Sequence, residues 1–262
     1  MAFEGNELAA GNGPRVPDDW FVDFHRGLAA RFWRAAAATM THEDMQLVLP
    51  LLKLPDGGRV LDAPCGDGRL TVALAAAGYQ AVGVDVAVEE LERGRTAAEA
   101  ATVPATFMEG DLRTLPVVKP VDAVLSWGNS FGYLAPGDTV RALGGMRWAL
   151  RPGGRLVLES HTVAESLLVA GVRPRTEHEF GGVRMTARNH YRVAESRLET
   201  DYVFEDQAGS IERARGAHHV HTAGELVRLL HAAGFAEVAL LAGDAATPYE
   251  LGAPRLIAVA TT

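Results

Sequence analysis

At 262 residues, 48% hydrophobic and 22% charged, the chain has an ordinary globular composition with room for one large α/β domain, which excludes a disordered chain. Its net charge of −8 argues against a nucleic-acid backbone as partner, because such binding needs clustered Lys and Arg. A single cysteine, Cys65, excludes an internal disulfide, and no run approaches the roughly 18 apolar residues of a membrane span.

Residues 1–17 carry Glu4 and Glu7, several Gly and Pro and no apolar stretch. They read as a flexible tail without a signal peptide, so a cytoplasmic location is expected. Residues 18–262 read as one domain. Its first part, 18–54, is helical. One helix from Asp18 sets Trp20, Phe21, Phe24, Leu28, Phe32 and Trp33 largely on one stripe. A second starts at Thr41, with Glu43 and Asp44 in its first turn, and Pro50 offers it an early stop.

Strands and helices then alternate over short connections, as in a parallel sheet covered on both faces. Strands are expected at 59–62, 80–85, 105–108, 121–126, 155–159, 235–241 and 256–260. Helices are expected at 68–77, 88–100, 139–150 and 222–233. The result is a doubly wound, mostly parallel, seven-stranded sheet. Between 175 and 221 the period drops to two, over 183–193, 197–205 and 210–220, which reads as an inserted three-stranded antiparallel meander.

Chemistry-bearing residues gather where the first strands end, the edge at which open parallel sheets bind ligands. Val60-Leu61-Asp62-Ala63-Pro64-Cys65-Gly66-Asp67-Gly68 places a glycine-bearing turn before a helix whose N–H groups face a ligand. Asp85 ends the second strand 19 residues beyond Gly66, close to the spacing of a nucleoside-binding unit, and can accept both hydroxyls of a ribose. In Glu109-Gly110-Asp111-Leu112, Asp111 can accept an adenine amino group while Leu112 offers a backbone N–H. The expectation is that Asp85 and Asp111 converge on one cleft beside the Gly66 turn.

On these motifs the chain from about Gly58 onward resembles the class I S-adenosylmethionine-dependent methyltransferases, in particular bacterial small-molecule enzymes related to the ubiquinone-biosynthesis and cyclopropane-synthase types. Leu-Arg-Pro-Gly-Gly at 150–154 fits as well. The resemblance implies a Rossmann-like fold, S-adenosylmethionine as cofactor and methyl transfer to a small molecule such as a secondary metabolite. It assigns Asp62, Gly66 and Gly68 to the methionine portion, Asp85 to the ribose and Asp111 with Leu112 to the adenine, with Ala63, Cys65, Val86 and Gly110 as further cofactor-binding candidates. It also makes the N-terminal helices a lid whose Trp20, Phe24 and Trp33 touch the cofactor. The sequence departs from the class at Pro64, which stands where the first glycine of the loop is usual and has no N–H to donate. An NAD-dependent oxidoreductase is the rival reading, but its third glycine is replaced by Thr71. A methyltransferase-fold binding module without catalysis is the other.

The acceptor pocket is expected past the fourth and fifth strands. Trp127, Gly128 and Asn129 would flank the cofactor, and Phe131 and Tyr133 either face the pocket or pack the next helix. His161, after the fifth strand, is the candidate catalytic base, or else a hydrogen-bonding spacer. His190 and His219 are candidates to line the acceptor cleft. No metal is expected, since no carboxylate or cysteine stands at ligand spacing beside the histidines. Neither a nucleic-acid nor a membrane partner is expected; a homodimer is compatible with the reading.

Overall fold

The structure, a computed structural model, describes residues 14–116 and 120–262. Three helices come first: α1 (Phe21–Phe24), α2 (Gly27–Ala38) and α3 (Thr41–Leu52). The alternating region follows as β1 (Arg59–Asp62), α4 (Arg69–Ala76), β2 (Gln80–Asp85), α5 (Val88–Ala101), β3 (Thr106–Glu109), β4 (Val121–Ser126), α6 (Pro136–Ala149) and β5 (Leu150–Ser160). Next come α7 (Ala164–Ala170) and the strands β6 (Arg175–Phe180), β7 (Val183–Arg192), β8 (Arg197–Asp206) and β9 (Ile211–His219). The chain closes with α8 (Ala223–Ala232), β10 (Glu237–Leu241) and β11 (Leu256–Thr261).

The seven-stranded sheet has the order β10-β11-β5-β4-β1-β2-β3. β1 pairs in parallel with both β2 and β4, whereas β11 runs antiparallel to β5 and β10. Strand order therefore reverses between β1 and β4, and the loops leaving their carboxyl ends open a crevice there. Alternation along the strands fills both faces. Leu61, Val84, Val124 and Leu158 pack with Leu143 and Met146 of α6 and Leu226 of α8. Val60, Leu125 and Val157 pack with Val48 of α3 and Leu74 of α4 on the other side.

The antiparallel insertion is a separate sheet of four strands, β6-β7-β8-β9, not three. The extra strand, β6, reads Arg-Thr-Glu-His-Glu-Phe and buries no residue fully, so no apolar alternation announces it. Its neighbours carry the buried face: Val183, Met185, Tyr202 and Phe204 pack against Phe24, Leu28 and Phe32 of the N-terminal helices.

Those helices also differ from the single expected one. The chain breaks between α1 and α2, where Gly27 has φ +52°, and the Glu212 carboxylate accepts the Leu28 N–H at 2.7 Å. A Cβ on Gly27 would lie 2.5 Å from that carboxylate, so the cap from β9 and the glycine require each other. α3 continues through Pro50 and ends in a left-handed Lys53.

Of the expected tail, residues 1–13 lie outside the described residues. Residues 14–17 are not loose: Val16 is fully buried, its N–H donates to Glu199 at 3.0 Å, and its carbonyl accepts from Arg197 at 2.6 Å. Among the described residues no helix is long and apolar enough to cross a membrane.

Candidate cofactor and acceptor site

The turn after β1 is shaped by hydrogen bonds to β2. Cys65 N–H donates to the Val84 carbonyl at 3.0 Å, and Gly66 N–H donates to Asp85 Oδ2 at 2.7 Å. Asp85 Oδ1 accepts the Ala87 N–H at 2.9 Å, so the carboxylate is fixed from both sides while each oxygen keeps a lone pair for a ligand. Gly66 adopts φ +56°, and a Cβ there would meet nothing within 4 Å, which leaves open space beside the backbone.

Gly68, also left-handed at φ +74°, serves packing. A Cβ would lie 2.3 Å from the Phe107 ring. Gly68→Ala is therefore expected to destabilise the fold by roughly 2–4 kcal/mol, from overpacking and the left-handed backbone together. Urea unfolding checks this, and an unchanged midpoint would count against the contact.

Asp62 is buried beneath the turn and accepts the Thr71 hydroxyl at 2.7 Å. Burial pushes its carboxyl up to about 7. The folded protein therefore keeps a proton that the unfolded chain releases near its ordinary 3.8. The associated stability is fully present below that value and is lost as pH rises through about 7. Each pH unit of the interval corresponds to about 1.4 kcal/mol, on the order of 4–5 kcal/mol in all as an upper bound. Asp62→Asn should flatten the fall in apo-protein melting temperature between pH 5 and pH 8; an unchanged slope would contradict it.

The opposite wall is built on Glu159 at the end of β5. This buried carboxylate accepts the N–H groups of Gly128 (3.0 Å) and Asn129 (3.1 Å) through one oxygen. Its other oxygen meets His161 Nε2 at 2.6 Å and the Arg255 guanidinium at 3.8 Å. Burial alone would raise the Glu159 pKa, but the bonded His161 outweighs it and holds the group below its ordinary value. Burial likewise disfavours charge on His161, yet the Glu159 contact lifts the ring above its ordinary 6.5, with a backbone contact at Pro254 adding to it. Glu159 thus fixes the Nε2 side of the ring, and His161 lines the cavity where the catalytic base is expected. Asn129, left-handed at φ +69°, accepts the His161 and Thr162 N–H groups through its side-chain oxygen at 2.8 and 3.2 Å.

One cavity of about 420 Å³ unites these walls, inside the roughly 300–1,000 Å³ usual for small-ligand sites. From the β1 and β2 ends it takes Asp62, Cys65, Gly66 and Asp85. Trp127, Gly128, Asn129, Tyr133 and His161 come from the β4 and β5 ends, and Trp20, Phe24 and Trp33 from the N-terminal helices. Two ion pairs on its lining tie those helices to the sheet: Arg34–Glu90 and Asp44–Arg69, each 2.6 Å. A side cavity of about 50 Å³ takes Val86, Gly110 and Leu112 and shares Asp85 and Tyr133 with the main one.

Six expected residues line neither cavity. Ala63 spends its N–H on the Leu125 carbonyl, and Gly68 faces Phe107. Asp111 forks onto Arg113 at 2.5–3.0 Å and caps the short 3-10 turn Leu112–Thr114, while Arg113 lies 5.3 Å over the Phe21 ring. The expected convergence thus holds for Asp85 and not for the Asp111 carboxylate, whose neighbours Gly110 and Leu112 alone reach the cleft. Phe131 is buried in the core beside His221. His190 sits on β7 opposite Glu199, and His219 faces Asp18 and Arg197.

His218 lines the cavity in place of His219, because consecutive strand residues point to opposite faces. Sequence reading also missed Glu159, Tyr202 and Arg255. Glu159 carries the same signal as Asp62 and Asp85, an acid closing a parallel strand; Tyr202 and Arg255 carry none.

A glycine turn at the switch point of a doubly wound sheet, with a doubly held carboxylate on the neighbouring strand end, is the arrangement of a nucleoside-binding α/β fold. Residues 60–154 match the family model of a methyltransferase domain. A demethylmenaquinone methyltransferase of Thermus thermophilus is 38% identical over 112 residues, 42% of this chain and 49% of that protein. The chain spans about half the length of the curated relatives it matches. Among solved structures, an S-adenosylmethionine-dependent methyltransferase from Clostridium acetobutylicum superposes with TM-score 0.70 at 13% identity, over 93% of this chain and 95% of that one. CalS10, an amino pentose methyltransferase of Micromonospora echinaspora solved with S-adenosylmethionine bound, gives TM-score 0.61 at 23% identity, over 88% and 92%. Residues 60–154 are thus similar to a methyltransferase domain, and the fold is that of the class I S-adenosylmethionine-dependent methyltransferases.

Proposed function

We propose that this protein transfers a methyl group from S-adenosylmethionine to a small-molecule acceptor by in-line displacement. The observation that carries the reading is Asp85, bonded through both oxygens to the backbone and still able to accept from a ligand on the rim of the 420 Å³ cavity. Ribose hydroxyls suit those remaining lone pairs, and Val86, Gly110 and Leu112 leave an apolar slot beside them for a purine ring. Apart from Asp62, whose carboxyl burial pushes up to about 7, the lining carries Asp44, Asp67, Asp85, Glu90 and Glu159 against Arg34, Arg69, Arg255 and His161, so it does not oppose a cofactor with a net positive charge. When bound, S-adenosylmethionine supplies an electrophilic methyl group on a good leaving sulfur.

The protein's own work is positioning and exclusion of water. Glu159 fixes the Gly128-Asn129 turn, and the N-terminal helices, clamped by Arg34–Glu90 and Asp44–Arg69, roof the cavity. A small acceptor fits a site enclosed in this way, and two of the similar proteins are named for small acceptors, demethylmenaquinone and an amino pentose. Secondary metabolites are the acceptor class we favour.

Calorimetry with S-adenosylhomocysteine tests the reading. Stoichiometric binding with measurable heat is expected, whereas a silent titration of folded protein would leave only an inert module.

A further inference from the structure

The main cavity and the side slot meet at a neck whose residues His25, Pro64, Asp85, Ser130 and Tyr133 border both. Four of these come from the carboxyl ends of β1, β2 and β4 and the turns beyond them. His25 alone comes from the N-terminal helices, in the kink between α1 and α2. That kink is built from the backbone upward. Arg26 N–H turns back onto the Phe24 carbonyl at 2.9 Å, Gly27 takes its left-handed φ of +52°, and Glu212 holds the Leu28 N–H. Phe24 packs on Tyr202 and Phe204 of β8, and the His25 ring stands edge-on to Phe24 with 5.2 Å between centroids.

This placement leaves the imidazole uncommitted. Among the described residues neither ring nitrogen has a hydrogen-bond partner. Burial pushes the ring below its ordinary 6.5, with the Asp85 carboxylate opposing that shift. At neutral pH the ring is therefore uncharged and offers one N–H donor and one lone pair. Keeping a polar group from water without a partner costs stability, so such a side chain at a cavity marks a place for a ligand atom.

The neck chemistry says which atom. A ribose hydroxyl that gives its proton to Asp85 still carries two lone pairs, and a carboxylate, which only accepts, cannot fill them. The complement is a donor facing the sugar from the other side. Ser130 and Tyr133, both from the turn after β4, are turned toward each other. The His25 N–H is free, and it comes from the roof opposite the sheet edge that carries Asp85.

We propose that His25 is the contact between the N-terminal helices and the cofactor: its ring N–H donates to the ribose that Asp85 accepts from, and this bond holds the helices over an occupied nucleoside site. Trp20 and Phe24, on the same segment, line the main cavity. Cofactor therefore binds first, and the acceptor pocket is completed by the segment that settles on it. This inference rests on the methyl-transfer function proposed above and adds the order of binding and the residue that enforces it.

The test titrates S-adenosylhomocysteine into the full chain by calorimetry and follows amide hydrogen exchange over residues 21–38 with and without it. His25→Phe keeps a ring against Phe24 but removes the donor, His25→Leu removes both, and His25→Gln restores a donor without the ring. Melting curves establish which variants fold, and the two donor-less variants cover a folding failure of either. Loss of one uncharged hydrogen bond is expected to weaken binding roughly five- to tenfold in His25→Phe and His25→Leu, with His25→Gln within about twofold of wild type. At saturation the ligand is expected to slow exchange over 21–38 in wild type and His25→Gln, and by less than half as much in the donor-less variants. Donor-less variants within about twofold of wild type, or a His25→Gln as weak as they are, would overturn the contact. Equal slowing of exchange in all the proteins would overturn the hold on the helices. If folded wild type binds no S-adenosylhomocysteine, the methyl-transfer reading fails instead.

Discussion

Asp85→Ala is expected to weaken S-adenosylhomocysteine binding by roughly 2–4 kcal/mol, about 30- to several-hundred-fold. Two losses add. The ribose loses a charged acceptor, and Gly66 N–H loses the partner that now stands at 2.7 Å and holds the turn against β2. Hydrogen bonds to a charged group contribute about 1.5–3 kcal/mol each, so the combined figure follows from one such bond to ligand and partial relaxation of the turn. Asp85→Asn should fall between the two, since it keeps the shape but turns an amide donor or a weaker acceptor toward the Gly66 N–H. Melting curves establish that the variants fold, and calorimetry reads the affinity. An affinity within threefold of wild type would remove Asp85 from the nucleoside site.

The second large effect concerns Glu159, which the sequence reading did not single out. Glu159→Ala leaves the N–H groups of Gly128 and Asn129 without their acceptor and His161 and Arg255 without their counter-ion. Breaking a buried charge cluster from one side costs roughly 3–5 kcal/mol, which in a domain of this size lowers the melting temperature by about 10 °C. The pH dependence has a definite sign. Glu159 lies below its ordinary 4.5 in the folded state, so its contribution is present above that value and is lost as pH falls through the folded pKa. His161 lies above its ordinary 6.5, so its contribution is present below that value and is lost as pH rises through the folded pKa. The pair therefore stabilises most between about 4.5 and 6.5, and Glu159→Gln should lower stability most in that window. Equal destabilisation at pH 5.5 and pH 9 would show that the charge on the pair is irrelevant.

Much of the fold was legible because its signals are local. Asp62 and Asp85 close hydrophobic runs, Gly78 and Gly234 stop helices, and short αβ connections force parallel neighbours. What escaped depends on partners far along the chain. The break before Gly27 is made by Glu212 and the burial of Val16 by Glu199 and Arg197, about 180 residues away in each case. Strand β6 is polar because both its faces are largely exposed, so it carries no period of its own. At the site, residue type was a better guide than side-chain direction. Asp111 stands in the expected place after β3, but Arg113, two residues on, offers its carboxylate a bidentate partner. His218 and His219 are chemically alike and adjacent; only the register of β9 against β8 decides which of them reaches the cavity.

Where the nucleoside lies decides the role of Asp85 most directly. A crystal structure of the protein soaked with S-adenosylhomocysteine should show both ribose hydroxyls within hydrogen-bonding distance of Asp85 and the purine between Val86 and Leu112. A nucleoside found elsewhere, with Asp85 bonded only to Gly66 and Ala87, would contradict it.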